Sequence, residues 1–378
     1  MEQGPLRILQ ALTKSEIGGT ESMVFRLVQG LDRSRFDITI SFLDGYGPIA
    51  DCFHQLGIPV HDLSGPGGRL STMRRLLSFF TTSRFHLVHL YGFRMSLFGR
   101  LAARLVSPRP IVVHGIRGLH VTEGEGVARS RTRIAIAVER LGAPLVDSYI
   151  ANSQGAMTFL STHGVPKEKF IVIPNGIDCD AWPPAPTRSA PATPTIICVA
   201  NFRPRKRHHD LIESIGILLR QGVQAHCQLV GDGSTRHEIE TLVRQQQLNG
   251  IVEFTGSRTP QEVQTLLHSS DIFVLPSLWE GMPGSVMEAM AAGLPVVGTN
   301  VAGTQELVVD GITGYLVPEK DPPMLAQRLR QLIDNPLRRV QMGNAGRQRV
   351  QENFSLTAMV RHHQEAYTHL LRAQTAAL

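Results

Sequence analysis

Asp271-Ile-Phe-Val-Leu-Pro-Ser-Leu-Trp-Glu280-Gly-Met-Pro-Gly-Ser-Val-Met-Glu288-Ala-Met-Ala-Ala-Gly293 runs from a short apolar segment, through a glycine-proline-glycine turn, into strong helix formers. Residues 271–275 have the length and composition of a buried strand. Residues 286–292 have those of a helix that stops at Gly293. Glu280 is therefore expected in the loop at the carboxyl end of a strand, and Glu288 about one turn into the helix. In an open α/β sheet that rim is where ligands bind. The free amides of Gly284 and Ser285 suit a phosphate, assisted by the helix dipole. A carboxylate one turn further in can accept hydrogen bonds from both hydroxyls of a ribose. The second acid then faces whatever hydroxyl-rich group lies beyond a diphosphate.

The pattern around this stretch is a repeated alternation. Strands are expected at 7–12, 37–43, 87–91, 111–115, 148–152 and 170–174, and again at 196–200, 227–230, 252–255, 271–275 and 295–298. Helical patterns such as 20–31, 70–80 and 97–106 lie between them. Strands that alternate with helices of this length predict doubly wound parallel sheets. Trp182-Pro-Pro-Ala-Pro-Thr-Arg-Ser-Ala-Pro-Ala-Thr-Pro194 interrupts the alternation and reads as a linker. The expected organisation is a first domain over 1–180, a linker over 181–194, a second domain over 195–354 and a C-terminal helix over 355–378. In that helix Leu356, Val360, His363, Tyr367 and Leu370 form one stripe that should pack back onto the body. A length of 378 residues suits two domains of ordinary size.

Composition narrows the classes. No run of eighteen apolar residues and no leader-like start are visible, so neither a membrane span nor a signal peptide is expected. Cys52, Cys179, Cys198 and Cys227 are scattered without a Cys-x-x-Cys pair, which fits a reducing cytosol and argues against a disulfide frame or a zinc site. The net charge of +6 is concentrated in the first half. Positions 63–122 carry nine arginines and no acid: Arg69, Arg74, Arg75, Arg84, Arg94, Arg100, Arg104, Arg109 and Arg117. Phe79, Phe80, Phe85, Phe93 and Phe98 lie among them. Two readings stand side by side, a docking surface for an anionic bilayer or acceptor and a set of solvated helix faces. No helix-turn-helix, zinc or RNA-binding signature accompanies the charge, so nucleic acid is not expected as a partner.

Further candidates sit at other strand ends. Gly18-Gly19 opens the first helix, where backbone amides can approach a phosphate or sugar. Asn201-Phe-Arg203-Pro-Arg205-Lys206-Arg207 places four cations in five residues after the first strand of the second half, a composition that suits a diphosphate. Gly231, Gly233 and Gly256 mark turns on the same rim, and His114 ends a strand of the first half. Asp178-Cys-Asp180 has the Asp-x-Asp form of a metal site but adjoins the linker, and no metal is assigned to it. Gly65-Pro-Gly-Gly-Arg69 lacks the Gly-Lys-Ser/Thr of a phosphate loop.

Together these residues resemble the retaining glycosyltransferases of the GT4 group, which have the GT-B fold. The match is densest over 195–320, through Val199–Lys206, Leu229–Gly233, Phe254–Gly256, Glu280 and Glu288 with seven residues between them, Gly303, Glu306 and Gly311–Gly314. In the first half it rests on Gly18-Gly19, His114-Gly115, Asn152-Ser153 and Pro174–Asp178. The resemblance implies two Rossmann-like parallel-sheet domains facing across a cleft. It also implies transfer of a sugar from a nucleoside diphosphate to an acceptor hydroxyl without a metal cofactor. Polysaccharide or glycolipid synthesis at the inner face of the membrane is the expected setting, with a carbohydrate or lipid-linked acceptor. By the same resemblance Glu288 binds the ribose, Glu280 the donor sugar, and Lys206 with a nearby arginine the diphosphate. His114, Glu280 and Lys206 are the expected catalytic residues. Gly18, Gly19, Asn201, Arg203, Gly256, Gly284, Ser285 and Val286 join Lys206, Glu280 and Glu288 in donor binding. Two departures stand out: Asn201 replaces the usual arginine, with Arg203 its expected substitute, and Arg207 replaces the glycine that commonly follows the lysine. The rival readings are a nucleotide-sugar epimerase or sugar phosphorylase on the same fold, and a non-catalytic sugar-nucleotide-binding protein.

Overall fold

The computed structural model describes residues 4–118, 127–184 and 193–377. The chain divides into two compact units. Unit 1 comprises residues 1–176 with 356–378, and unit 2 comprises 177–355. Among the described residues each unit is built on one parallel sheet. Unit 1 contains β1 (Leu6–Leu12), β2 (Phe36–Phe42), β3 (Val60–Asp62), β4 (Leu87–Tyr91), β5 (Ile111–Ile116), β6 (Ser148–Ala151) and β7 (Phe170–Val172), in spatial order β3-β2-β1-β4-β5-β6-β7. Unit 2 contains β8 (Thr195–Val199), β9 (His226–Val230), β10 (Val252–Gly256), β11 (Ile272–Leu275), β12 (Val296–Thr299) and β13 (Gly314–Val317), in order β10-β9-β8-β11-β12-β13. Strand order reverses between β1 and β4 in one sheet and between β8 and β11 in the other. A doubly wound sheet opens its crevice at such a switch point.

The central strands β4, β5, β11 and β12 are continuous buried runs, as a sheet covered on both faces requires. Ile272–Leu275 is wholly buried, and Ile8, Leu9, Ala11 and Leu12 of β1 are inaccessible to solvent. Among the described residues, eleven of the thirteen strands fall where alternation places them. β3 and β13, three and four residues long, lie outside that alternation. Val60 alone is buried in the former, and the latter begins with a glycine.

The helix Leu356–Ala377 belongs to unit 1, and Val360, His363 and Tyr367 of its predicted stripe are buried there. Gly30 makes room for this helix, since a Cβ at that position would strike Val360. The helix also completes a polar network inside the unit. The Tyr367 hydroxyl accepts from Gln10 Nε2 at 3.0 Å and lies 2.8 Å from His89 Nδ1, while the Tyr91 hydroxyl donates to Gln10 Oε1 at 2.9 Å. Arg117 approaches His363 Nε2 at 3.3 Å and donates to Asn175 Oδ1 at 3.2 Å.

Two imidazoles in this network are held in the neutral form. Burial, then the charge of Arg117, pushes His89 well below its ordinary range and His363 down to about 3. The unfolded chain therefore takes up protons that the folded chain refuses. The resulting stability is complete above about pH 6.5 and is lost as pH falls toward the folded value. In that window one such histidine contributes up to about 1.4 kcal/mol per pH unit. The urea midpoint of unfolding is thus expected to fall between pH 6 and pH 4, and to fall less steeply in His363→Gln. Equal slopes for the two proteins would refute this account.

The proline-rich linker lies mostly on residues 185–192, outside the described residues. The segment before it is packed onto unit 2. Trp182 is buried, its carbonyl accepts from Arg347 at 2.6 Å, and the carbonyl of Ala181 accepts from Gln264 at 2.7 Å. The Asp178 carboxylate accepts from the backbone amides of Asp180 and Ala181, which makes Asp178–Asp180 a turn.

The arginine-rich segment also resolves into individual roles. Arg75 holds the loop carbonyls of Leu63 and Pro66, Arg104 the carbonyl of Pro144, and Arg109 pairs with Asp147. Arg100 is buried against Glu139, and Arg117 serves the network above. Phe80 and Phe85 are core residues, with Phe79 and Phe98 packed against that core. Arg69, Arg74 and Arg84 stay exposed, as does Arg94, which pairs with Asp44.

Candidate active site

The switch point of unit 2 is built by two loops. After β8 the chain runs through Asn201 and Arg203 into a single 3-10 turn, Pro204–Lys206, and then the helix His208–Arg220. After β11 it runs through Ser277–Pro283 into the helix Gly284–Ala291. The amide of Leu278 donates to the carbonyl of Arg205 at 2.8 Å, which ties the loops together. A second brace comes from Gly303, at φ +79°, where any side chain would run into the Gly281 carbonyl. The glycine-proline-glycine turn is thus held from both sides.

Lys206 and Glu280 meet in this frame. Both are buried, and Lys206 Nζ donates to Glu280 Oε1 at 2.5 Å. The other carboxylate oxygen accepts from Arg205 Nη1 at 3.3 Å. Arg205 is itself fixed by stacking over the Trp279 ring, 4.6 Å from its centroid, and by the Trp279 carbonyl at 3.4 Å. Burial alone would raise the Glu280 carboxyl, but Lys206 and Arg205 outweigh it and hold the pKa below the usual value. The group is an ionised carboxylate pinned between two cations.

The helix after the turn carries no side-chain cap, because Pro283 occupies the capping position. The amides of Gly284, Ser285 and Val286 have no partner within the helix. Gly284 is exposed, Ser285 half-buried and Val286 buried. Glu288, half-buried, follows one turn later on the same helix. Asn201 and Arg203 are exposed on the rim, and Gly256, at φ +76°, ends β10 with its carbonyl accepting from the Gly231 amide at 2.9 Å. Of the arginines in the cationic run, Arg205 reaches Glu280 and Arg203 does not. Sequence reasoning overlooked Arg205 and Trp279 because nothing local shows which cation turns inward.

Arg207 adopts the left-handed conformation, φ 52° and ψ 40°. That is the physical reason a glycine commonly stands there. A non-glycine residue in this region costs roughly 1–2 kcal/mol. Here the guanidinium engages the buried carboxylate of Asp210 through Nε at 2.8 Å and through Nη2. Hydrogen bonds of this charged kind contribute about 1.5–3 kcal/mol and offset the strain.

In unit 1, Gly18 precedes the helix Gly19–Gly30 at the carboxyl end of β1, and its carbonyl accepts from Ser22 at 2.9 Å. Gly19 is exposed, and a side chain there would meet open space. His114 lies in β5, buried, with Nδ1 3.1 Å from Glu139.

Two adjoining family descriptions cover most of the chain. Residues 17–181 match Glycosyltransferase Family 4, and residues 184–349 match Glycosyl transferases group 1. The chain belongs to the GT4-type glycosyltransferases. This GT4-type chain is 41% identical over 177 residues to WcaL of Escherichia coli (strain K12), whose name places it in colanic acid biosynthesis, and 36% identical over 211 residues to WcaL of Salmonella typhimurium. Those alignments cover 45% and 53% of this chain, and 43% and 52% of the relatives. The chain therefore spans about half the length of these curated relatives. A longer alignment, 23% identical over 363 residues, covers 91% of this chain and 92% of an Escherichia coli UDP-Gal:alpha-D-GlcNAc-diphosphoundecaprenol alpha-1,3-galactosyltransferase. Among solved structures, Anabaena HepE in complex with UDP-glucose has a TM-score of 0.82 at 20% identity, covering 96% of this chain and 99% of that one. Sucrose-phosphate synthase from Thermosynechococcus elongatus has the same TM-score at 21% identity, covering 97% and 100%. These likenesses show the GT-B fold for the GT4-type chain.

Proposed function

We propose that this chain is a retaining glycosyltransferase that moves a sugar from a nucleoside diphosphate to an acceptor hydroxyl. The observation that carries the reading is the buried Lys206–Glu280 pair, joined by half-buried Arg205, at the β8/β11 switch point next to an uncapped helix start. The amides of Gly284, Ser285 and Val286 supply donors for a diphosphate, and Lys206 supplies a cation for the charge that develops when the sugar leaves. Arg203 and Asn201 extend this rim, and Glu288 receives the ribose hydroxyls. Glu280 holds hydroxyls of the sugar. In the reaction the bond from the anomeric carbon to the phosphate oxygen breaks, and the acceptor oxygen bonds to that carbon on the same face. The acceptor proton passes to the departing phosphate. No protein nucleophile is needed, and amides and cations carry out the leaving-group stabilisation that a metal would otherwise supply.

The expected product is a polysaccharide or glycolipid, a setting supported by the names of relatives in colanic acid synthesis and in transfer to a diphosphoundecaprenol-linked sugar. No described helix is long and apolar enough to cross a membrane. A lipid-linked acceptor would place the chain at the inner face of a bilayer, with exposed Arg69, Arg74 and Arg84 as the available cations. Co-sedimentation with anionic vesicles is then expected to decline as salt rises. Binding that ignores both lipid charge and salt would remove this part of the proposal.

The activity is tested with a panel of UDP-, GDP- and ADP-sugars, each with and without acceptor sugars. One donor is expected to be consumed only when an acceptor is present, with the anomeric configuration preserved in the product. Conversion of the donor sugar without an acceptor would establish the epimerase reading instead. Binding without turnover against any acceptor would leave a sugar-nucleotide-binding protein.

A further inference from the structure

His114 belongs to a buried cluster that the transfer reaction as described does not use. Glu139, on the helix Val127–Gly142, sits opposite its ring. Arg100 grips both oxygens of that carboxylate, Nη1 to Oε1 at 3.1 Å and Nη2 to Oε2 at 3.2 Å, with its own side chain 1% exposed. The Tyr149 hydroxyl donates to Oε1 at 2.9 Å. Space for the guanidinium is left by Gly142, where any side chain would strike Arg100. Burial alone would raise the Glu139 carboxyl. The His114 ring, Arg100 and Tyr149 together hold it well below the usual carboxylate range. Glu139 is therefore an acceptor only, and every group around it must donate.

That requirement reaches His114. A carboxylate facing Nδ1 places the ring proton on Nδ1 and leaves Nε2 of the neutral ring with its lone pair. Among the described residues, Nε2 makes no hydrogen bond. We propose that Glu139, clamped by Arg100 and Tyr149, is a positioning residue that fixes the orientation and tautomer of His114, so that Nε2 accepts a hydrogen bond from a substrate hydroxyl. Arg100 and Tyr149 fix the carboxylate in place, so the pair fixes the orientation of the imidazole. This assignment rests on the glycosyltransferase reading for the identity of the hydroxyl, and on the cluster geometry alone for the tautomer.

The tautomer is read directly from the nitrogen shifts of 15N-histidine-labelled protein at a pH where the ring is neutral, with His114→Gln used to assign the signal. The expected result is a protonated Nδ1 and an unprotonated Nε2. The opposite tautomer overturns the proposal whatever the activity. Tyr149→Phe leaves carboxylate and guanidinium in place and is expected to keep that tautomer. Its loss there would also overturn the proposal, because the carboxylate would not be what holds the proton. Glu139→Gln is expected to slow transfer at donor saturation by about 10²-fold through misplacement of the ring, with donor affinity unchanged. A folded Glu139→Gln protein with wild-type turnover overturns the positioning role. Should the wild-type protein transfer no sugar at all, the proposed function fails, and the nitrogen shifts still decide the tautomer.

Discussion

Lys206→Ala is expected to slow sugar transfer by about 10²- to 10³-fold, the usual loss when one preorganised group aimed at developing charge is removed. The ammonium is the most buried cation of the site and lies on the carboxylate expected to face the sugar. The substitution also acts on the folded state. It leaves Glu280 with Arg205 alone, and breaking a buried ion pair from one side costs about 3–5 kcal/mol. Activity must therefore be compared on protein shown to be folded. The double variant Lys206→Ala with Glu280→Ala separates the effects, since removing both charges should recover much of the stability and none of the turnover. Unchanged turnover and unchanged melting temperature in the single variant would end the assignment of this cluster as the leaving-group site.

Glu288→Ala is expected to weaken donor binding by roughly 10- to 100-fold, because hydrogen bonds to a charged group contribute about 1.5–3 kcal/mol. The contact proposed is with the ribose, so the free nucleoside diphosphate and the sugar nucleotide should lose affinity by the same factor. Titration calorimetry with both ligands measures this. A 2′-deoxy nucleotide supplies the complementary test, since it should bind more weakly than its ribose form to the wild type and no more weakly to Glu288→Ala. Glu280→Gln should behave differently, weakening the sugar nucleotide while sparing the nucleoside diphosphate. If Glu288→Ala binds both ligands with wild-type affinity, the ribose contact is misassigned.

These predictions concern residues that stand out in the primary structure, and the reason is physical. The Glu280–Glu288 stretch combines an apolar strand, a turn and a helix start within 23 consecutive residues, so local chemistry suffices to place both acids. Alternation likewise reveals most of both sheets. What escapes notice depends on partners far away along the chain. Arg100 reads as one more surface cation until Glu139 is found against it. Gln10 and His89 read as polar interruptions of buried strands until Tyr367 reaches them. Arg205 and Arg203 are equivalent in composition, and only Trp279 and Glu280 distinguish them. The basic, aromatic stretch of the first half illustrates the same point. Charge summed along a sequence cannot separate cations that face solvent from cations that tie loops and carboxylates together.

The return of the last helix to unit 1 has a consequence for synthesis on the ribosome. Residues 177 to 355 form an insertion within the other unit, and its two ends are stitched together where the Ile177 amide donates to the Phe354 carbonyl at 2.9 Å. The inserted unit has all of its strands once Val317 has emerged, whereas the first-synthesised unit lacks Tyr367 and the apolar face beside it until the final turns are made. Its buried Gln10 and His89 then wait for a partner more than 270 residues downstream. The first unit to be translated is thereby the last to receive all of its buried partners. Loss of the last two dozen residues would leave the second unit intact and the first unable to close.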